Sequence, residues 1–138
     1  MSRIRNIAVG LPVREGHVLA LRGSDPARGI EFYRAIGGGI EFGETAEEAL
    51  RREFREELGC DLDSVELLTV TQNIFTYDAR PGHEIAHVFL VSSAYLDAVP
   101  LGATLAILDE GSPVEWVPID ALRGGERPLF PEGLVELL

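Results

Sequence analysis

Three glutamates, Glu53, Glu56 and Glu57, follow a run of glycines, Gly37, Gly38, Gly39 and Gly43. At separations of three and four residues, carboxylates are neighbours on a helix surface and repel by a few tenths of a kcal/mol per pair when exposed. The repulsion grows where water is scarce, because desolvation disfavours the charged form. A divalent cation relieves it, and a hard ion such as Mg²⁺ takes oxygen ligands of this kind. Backbone carbonyls of the glycine run would be further oxygen ligands, since glycine allows close approach of the main chain to an ion or a phosphate. No His or Cys cluster competes for a softer metal. The chemistry these residues suggest is metal-assisted and acts on an anionic substrate.

The element that must carry the acids is a helix. Thr45 followed three residues later by Glu48 is a capping box and sets the N-terminus. From Ala46 to Leu58 there is no Gly, Pro or β-branched residue, and Gly59 stands where a C-terminal glycine stops a helix. At about 100° per residue, Ala46, Ala49, Leu50, Phe54 and Leu58 form one apolar stripe, with Glu48, Arg51 and Arg55 opposite. A charge run is ordinarily a solvated face. Here Glu53 and Glu57 project inside the apolar arc and Glu56 sits at its edge, which points to a cleft.

The segment Gly38 to Cys60 resembles the Nudix box, G-x5-E-x7-R-E-U-x-E-E-x-G-U with U apolar. Gly38, Glu44, Arg52, Glu53, Phe54, Glu56, Glu57, Gly59 and Cys60 fill every defined position, Cys60 being an unusual apolar choice. The resemblance implies an α/β/α sandwich with a mixed β-sheet, an α+β arrangement. It implies hydrolysis of a phosphoanhydride in a nucleoside diphosphate linked to another moiety, with Mg²⁺ (Mn²⁺ being possible) held by Glu53, Glu56, Glu57 and the carbonyl of Gly38. Such an ion neutralises the charge that builds on oxygen as water attacks phosphorus. Arg52 orients the acid after it and Glu44 supports the arrangement in this family. By spacing, Arg52 is expected to bridge Glu48 and Glu56. Glu53 is the first choice for general base, and Glu110, in the loop before the penultimate strand, is the alternative. Glu84 comes next. Substrate contacts are expected from Arg22, Arg34 and the Asn73, Phe75, Tyr77 side of a later strand, which is either a base-binding wall or a core face.

The remaining chain supplies a scaffold. Its 138 residues are 46% hydrophobic, enough for the core of one domain over 1–138. A net charge of −11 argues against nucleic-acid or anionic-membrane surfaces, which need basic patches. One cysteine excludes an internal disulfide. With no apolar run near about 20 residues and no signal-peptide pattern at the start, a cytoplasmic protein is expected. Strands are expected at 4–13 (an edge, given Pro12), 17–22, 30–36, 65–77, 84–96 and 114–117, with loops at 23–29, 78–83 and 97–113. The stretch Leu105 to Leu108 is expected as a helical turn, and short helices near 119–122 and at the C-terminus. His87 is expected to be buried with its polar atoms satisfied, and His17 to be a surface residue.

The substrate stays open between nucleoside triphosphates, dinucleoside polyphosphates (Tyr77 lies 17 residues past Cys60) and nucleotide sugars. A ligand-sensing Nudix domain without turnover is the alternative to an enzyme, and the complete set of acids favours the enzyme. A homodimer is compatible with the apolar chain ends.

Overall fold

A computed structural model describes residues 2–138. In the first strand, β1 (Arg5–Arg14), Ile7, Ala8, Val9 and Leu11 are all buried. A strand covered on both faces reads as a continuous apolar run. β1 is accordingly central. It pairs in parallel with β6 (Arg80–Ser92) and antiparallel with β4 (Ile36–Gly39). The edge position inferred from Pro12 is therefore wrong. Pro12 falls between the last pair with β4, Gly10–Ile36, and the first with β2 (His17–Asp25), Val13–Val18. One flank of β1 changes partner there, and a residue without an N–H is tolerated at such a break.

Two sub-sheets meet at the β1–β2 hairpin. The first has the order β5 (Ser64–Tyr77), β6, β1, β4; only the β1–β6 pairing is parallel. The second runs β9 (Leu129–Phe130), β3 (Ile30–Arg34), β2, β8 (Pro113–Pro118), β7 (Thr104–Ala106), and only β3–β9 is parallel. Helix α1 (Ala46–Leu58) covers one side, where Leu50 and Phe54 pack with Ala8, Leu19, Phe89 and Trp116. Helix α2 (Ala94–Asp97) adds Leu96 to that core. On the other side α3 (Ile119–Arg123) and Leu134, before a 3₁₀ turn at Val135–Leu137, close on Val9, Ala20 and Val88. The mixed sheet is thus sandwiched between helices.

Several expectations are corrected. The strand at 30–36 breaks at Ala35, and the glycine loop is a strand, β4, because β1 offers it a free edge. Leu105 lies in β7 rather than a helical turn, and the C-terminus holds β9 and one 3₁₀ turn instead of a helix. The hairpin turn between β5 and β6 shrinks from six residues to Asp78 and Ala79. His87 is half-buried and its buried Nδ1 meets no partner. No helix among the described residues is long and apolar enough to cross a membrane.

Candidate active site

Helix α1 forms as its sequence requires. The Thr45 hydroxyl accepts from the Glu48 N–H at 3.1 Å, and the Glu48 carboxylate accepts from the Thr45 N–H at 2.9 Å. Gly59 ends the helix in the left-handed conformation at φ 65°. The helix settles onto β1 at Gly10, where an added Cβ would lie 2.8 Å from the Phe54 ring. It meets β4 at Gly38. There an added Cβ would lie 2.7 Å from both Cδ and Oε1 of Glu53. A hydrogen atom at position 38 is what makes room for that carboxylate.

Arg52 is the hub of the loop between β4 and α1. Its Nε and Nη2 donate to the two oxygens of Glu44 at 2.8 and 2.9 Å, a bidentate pair. Nη2 also donates to the Gly39 carbonyl at 2.9 Å, and Nη1 to Glu53 at 3.0 Å and Glu56 at 3.3 Å. The expected bridge to Glu48 is absent, because Glu48 is committed to the capping box. The Arg52 guanidinium, followed by the Glu41 N–H, holds the Glu44 carboxyl down at about 2. The Arg52 pKa is raised in turn, chiefly by the Glu44 hydrogen bonds, which burial opposes and Glu53 reinforces.

Glu57 behaves differently. Burial first, then a hydrogen bond with Glu53 and the charges of Glu53 and Asp109, push its pKa up to about 8, while Arg34 opposes the rise. The upward shift records how tightly the Glu57 carboxyl is crowded against Glu53 in a partly buried place. Two acids crowded together in one cleft, with Glu53 seated against Gly38, are a site that a divalent cation fits, since the cation relieves their repulsion. Glu56 stands apart; its side chain is 59% exposed and turned toward Arg52. Among the described residues no group of three His, Cys, Asp or Glu side chains converges closely enough to hold an ion as the side chains stand. The oxygen donors available to an ion are Glu53, Glu57 and the main chain of Gly38 beside Glu53.

A cleft of about 1630 Å³ opens over this pair. Gly38, Glu53 and Glu57 line its floor, and Arg22, Arg34, Asn73, Phe75, Tyr77 and Glu110 line its walls; Glu44, Arg52 and Glu56 lie outside it. The wall residues differ in freedom. Arg22 pairs with Glu115 at 3.6 Å, and Arg34 with Glu84 at 3.5 Å. Asn73 accepts from the Thr71 hydroxyl at 2.8 Å, and the Tyr77 hydroxyl donates to the Ser24 carbonyl at 3.1 Å. Glu110 is exposed. Glu84 is nearly buried between Arg5 at 3.3 Å and Arg34.

Two residues escaped sequence reasoning. Asp109, next to Glu110, is the loop acid whose charge is felt by Glu57. The loop is brought there by the Leu108 N–H donating to the Glu57 carbonyl at 2.9 Å. Arg5 reaches the cleft because β1 and β6 pair at Arg5–Glu84, 79 residues apart in sequence. Neither contact has a local signal. Arginine is nonetheless concentrated here. All 12 cationic side chains of the protein are arginines, and Arg3, Arg5, Arg22, Arg28, Arg34 and Arg80 line the cleft.

The family model of the NUDIX domain matches residues 4–137. The nucleoside triphosphatase NudI of Salmonella agona is 33% identical over 126 residues, spanning 87% of this chain and 86% of that protein. The protein of the same name from an Escherichia coli O139:H28 strain is 35% identical over 121 residues, with 83% and 82% covered. Among solved structures, a MutT NUDIX hydrolase from Burkholderia pseudomallei superposes with a TM-score of 0.63 at 25% identity, covering 86% of each chain. A NUDIX hydrolase from Nitrosomonas europaea reaches 0.65 at 19% identity, with 98% and 85% covered, and supports the fold alone. Members of this family generally use divalent metal ions. The helix, its acids and the cleft above them agree with these matches, and the chain belongs to the NUDIX family as a Nudix-type pyrophosphohydrolase.

Proposed function

We propose that the protein, acting as one domain, hydrolyses a phosphoanhydride bond of a nucleoside triphosphate in a Mg²⁺-dependent reaction. The observation that carries this is the Glu53–Glu57 pair, with Glu53 seated against Gly38, in a cleft lined by six arginines. The nucleoside triphosphatases NudI among its relatives favour a triphosphate over the other linked diphosphates.

Glu53, Glu57 and the Gly38 carbonyl would hold the ion, with Glu56 joining them on turning from Arg52. When bound, Mg²⁺ supplies neutralisation of the anhydride oxygens and orients the phosphates. Glu53 takes the proton of the attacking water. The new P–O bond forms as the bridging P–O bond breaks, and the leaving phosphate departs with the bridging oxygen. Arg52 keeps Glu53 oriented, and Glu44 anchors Arg52. Glu110, which also lines the cleft, is the second candidate base. Arg34 and Arg22 contact phosphates, while Asn73, Phe75 and Tyr77 form the wall for the base.

A panel of nucleoside triphosphates, dinucleoside polyphosphates and nucleotide sugars, assayed with and without Mg²⁺, tests this. Triphosphates should turn over only with the metal, and Glu53→Gln and Glu57→Gln should each lower kcat by at least about 10²-fold. Near wild-type turnover of either variant under saturating Mg²⁺ refutes the role given to that residue.

A further inference from the structure

The far end of the β5–β6 hairpin overhangs the cleft without sheet support. β6 joins β1 only from Glu84 onward, and β5 is the outermost strand of its sub-sheet. From Ile74–His83 to Tyr77–Arg80 the two strands therefore pair only with each other. An isolated two-stranded ribbon is marginal in water. Its turn adds to the difficulty, because Asp78 and Ala79 both have positive φ, 48° and 62°, with no glycine to ease them. This ribbon nonetheless carries Phe75 and Tyr77 of the cleft wall.

Something must hold it, and the contacts converge on the end of β2. The Asp25 carboxylate is fully buried. Its Oδ1 accepts from the Asp78 N–H at 3.1 Å, at the ribbon's turn, and from the Ala27 N–H at 3.1 Å, while Oδ2 accepts from Arg28 Nε at 3.0 Å. Beside it the Tyr77 hydroxyl donates to the Ser24 carbonyl, and the Tyr77 ring meets Phe32 edge-on at 6.0 Å. A buried carboxylate is stable only when hydrogen-bonded throughout, so these bonds are costly to leave unmade. Having no exposed surface, Asp25 cannot touch substrate itself.

We propose that Asp25 is a positioning residue, a latch that fixes the tip of the β5–β6 ribbon so that Phe75 and Tyr77 wall the cleft. The inference rests on the cleft being the nucleotide site. Loss of the latch loosens substrate binding and leaves the acids on α1 in place, so it acts on KM and not on kcat.

Hydrogen exchange and steady-state kinetics of Asp25→Ala, Asp25→Asn and Tyr77→Phe decide it. In Asp25→Ala, amides between 74 and 83 should exchange at least about tenfold faster while those of α1 keep their protection. KM for a triphosphate should rise by about fivefold or more with kcat within about twofold of wild type. Asp25→Asn keeps one acceptor oxygen and should fall between, and Tyr77→Phe, read by exchange alone, should speed the ribbon amides more weakly. These two carry the test if Asp25→Ala does not fold. Unchanged ribbon exchange overturns the latch, and so does faster exchange with an unmoved KM. A wild-type protein that turns over no nucleotide sinks the proposed function instead. The exchange comparison then decides the latch alone, upheld by faster ribbon exchange and overturned by none.

Discussion

A methyl group on Gly38 would collide with the carboxyl of Glu53. The obstacle is the working end of the side chain, not backbone, so the chain can still fold by displacing the acid. Overpacking of this kind costs about 1–3 kcal/mol where the neighbour cannot move, and less where it can. Gly38→Ala should therefore lower the melting temperature slightly while reducing kcat by at least about tenfold, as far as misplacing a catalytic group does. A melt paired with a turnover assay checks this; full activity at a lowered melting temperature would mean that Glu53 need not sit where it does. The acids of this segment also divide. Arg52 lowers the pKa of Glu44, in the loop before α1, whereas burial and then Glu53 raise that of Glu57 within the helix. Carboxyls close in sequence thus shift in opposite directions because their surroundings differ.

At the scale of elements, the Arg52–Glu44 pair ties the β4–α1 loop to the helix. Its contribution depends on pH in a definite sense. The folded-state pKa of Glu44 lies at about 2, below the ordinary 4.5. The stability it adds is present above 4.5 and is lost as pH falls from there toward about 2. Glu44→Gln should melt below wild type at pH 7, and the gap should close across that acid interval. A gap that persists at the acid end would assign the effect to packing rather than charge. The same segment shows how far the sequence reaches. Helix α1 was legible to the residue, because its cap, stop and composition act within four positions along the chain. β4 was not, because Gly37, Gly38 and Gly39 carry no side chains and hence no alternation to read; its identity as a strand comes from β1. β7 is three residues long, too short for a period to show. The box acids were therefore found in sequence and the walls facing them only in part. Asn73, Phe75 and Tyr77 came from alternation, but Arg5, Asp109 and Asp25 depend on pairings across 79, 52 and 53 residues.

At the scale of the whole molecule, six of the 12 arginines line one cleft of a protein whose net charge is −11, and seven acidic side chains line it with them. The arginines attract a polyphosphate, and the acids oppose it unless a cation neutralises them. Screening at about 0.1 M salt acts beyond about 10 Å, so in ordinary buffer the charges of the cleft itself outweigh those of the distant surface. Raising ionic strength from about 0.1 to about 1 M shortens that reach to about 3 Å and should increase KM for a triphosphate severalfold, with little change in kcat. A KM that falls with added salt would show that the net charge governs.

The absence of lysine gives the cleft a further property. A guanidinium does not lose its proton at any pH a protein survives. The charge of these arginines is thus constant across the working range, and no limb of a pH–rate profile below about 10 reports them. Nor is there an ε-amine to acetylate, so the most familiar way of erasing positive charge on a protein has nothing to act on here. The arginines' contribution to phosphate binding is fixed at synthesis, and what pH adjusts in the cleft lies with its other groups, the Glu57 carboxyl among them.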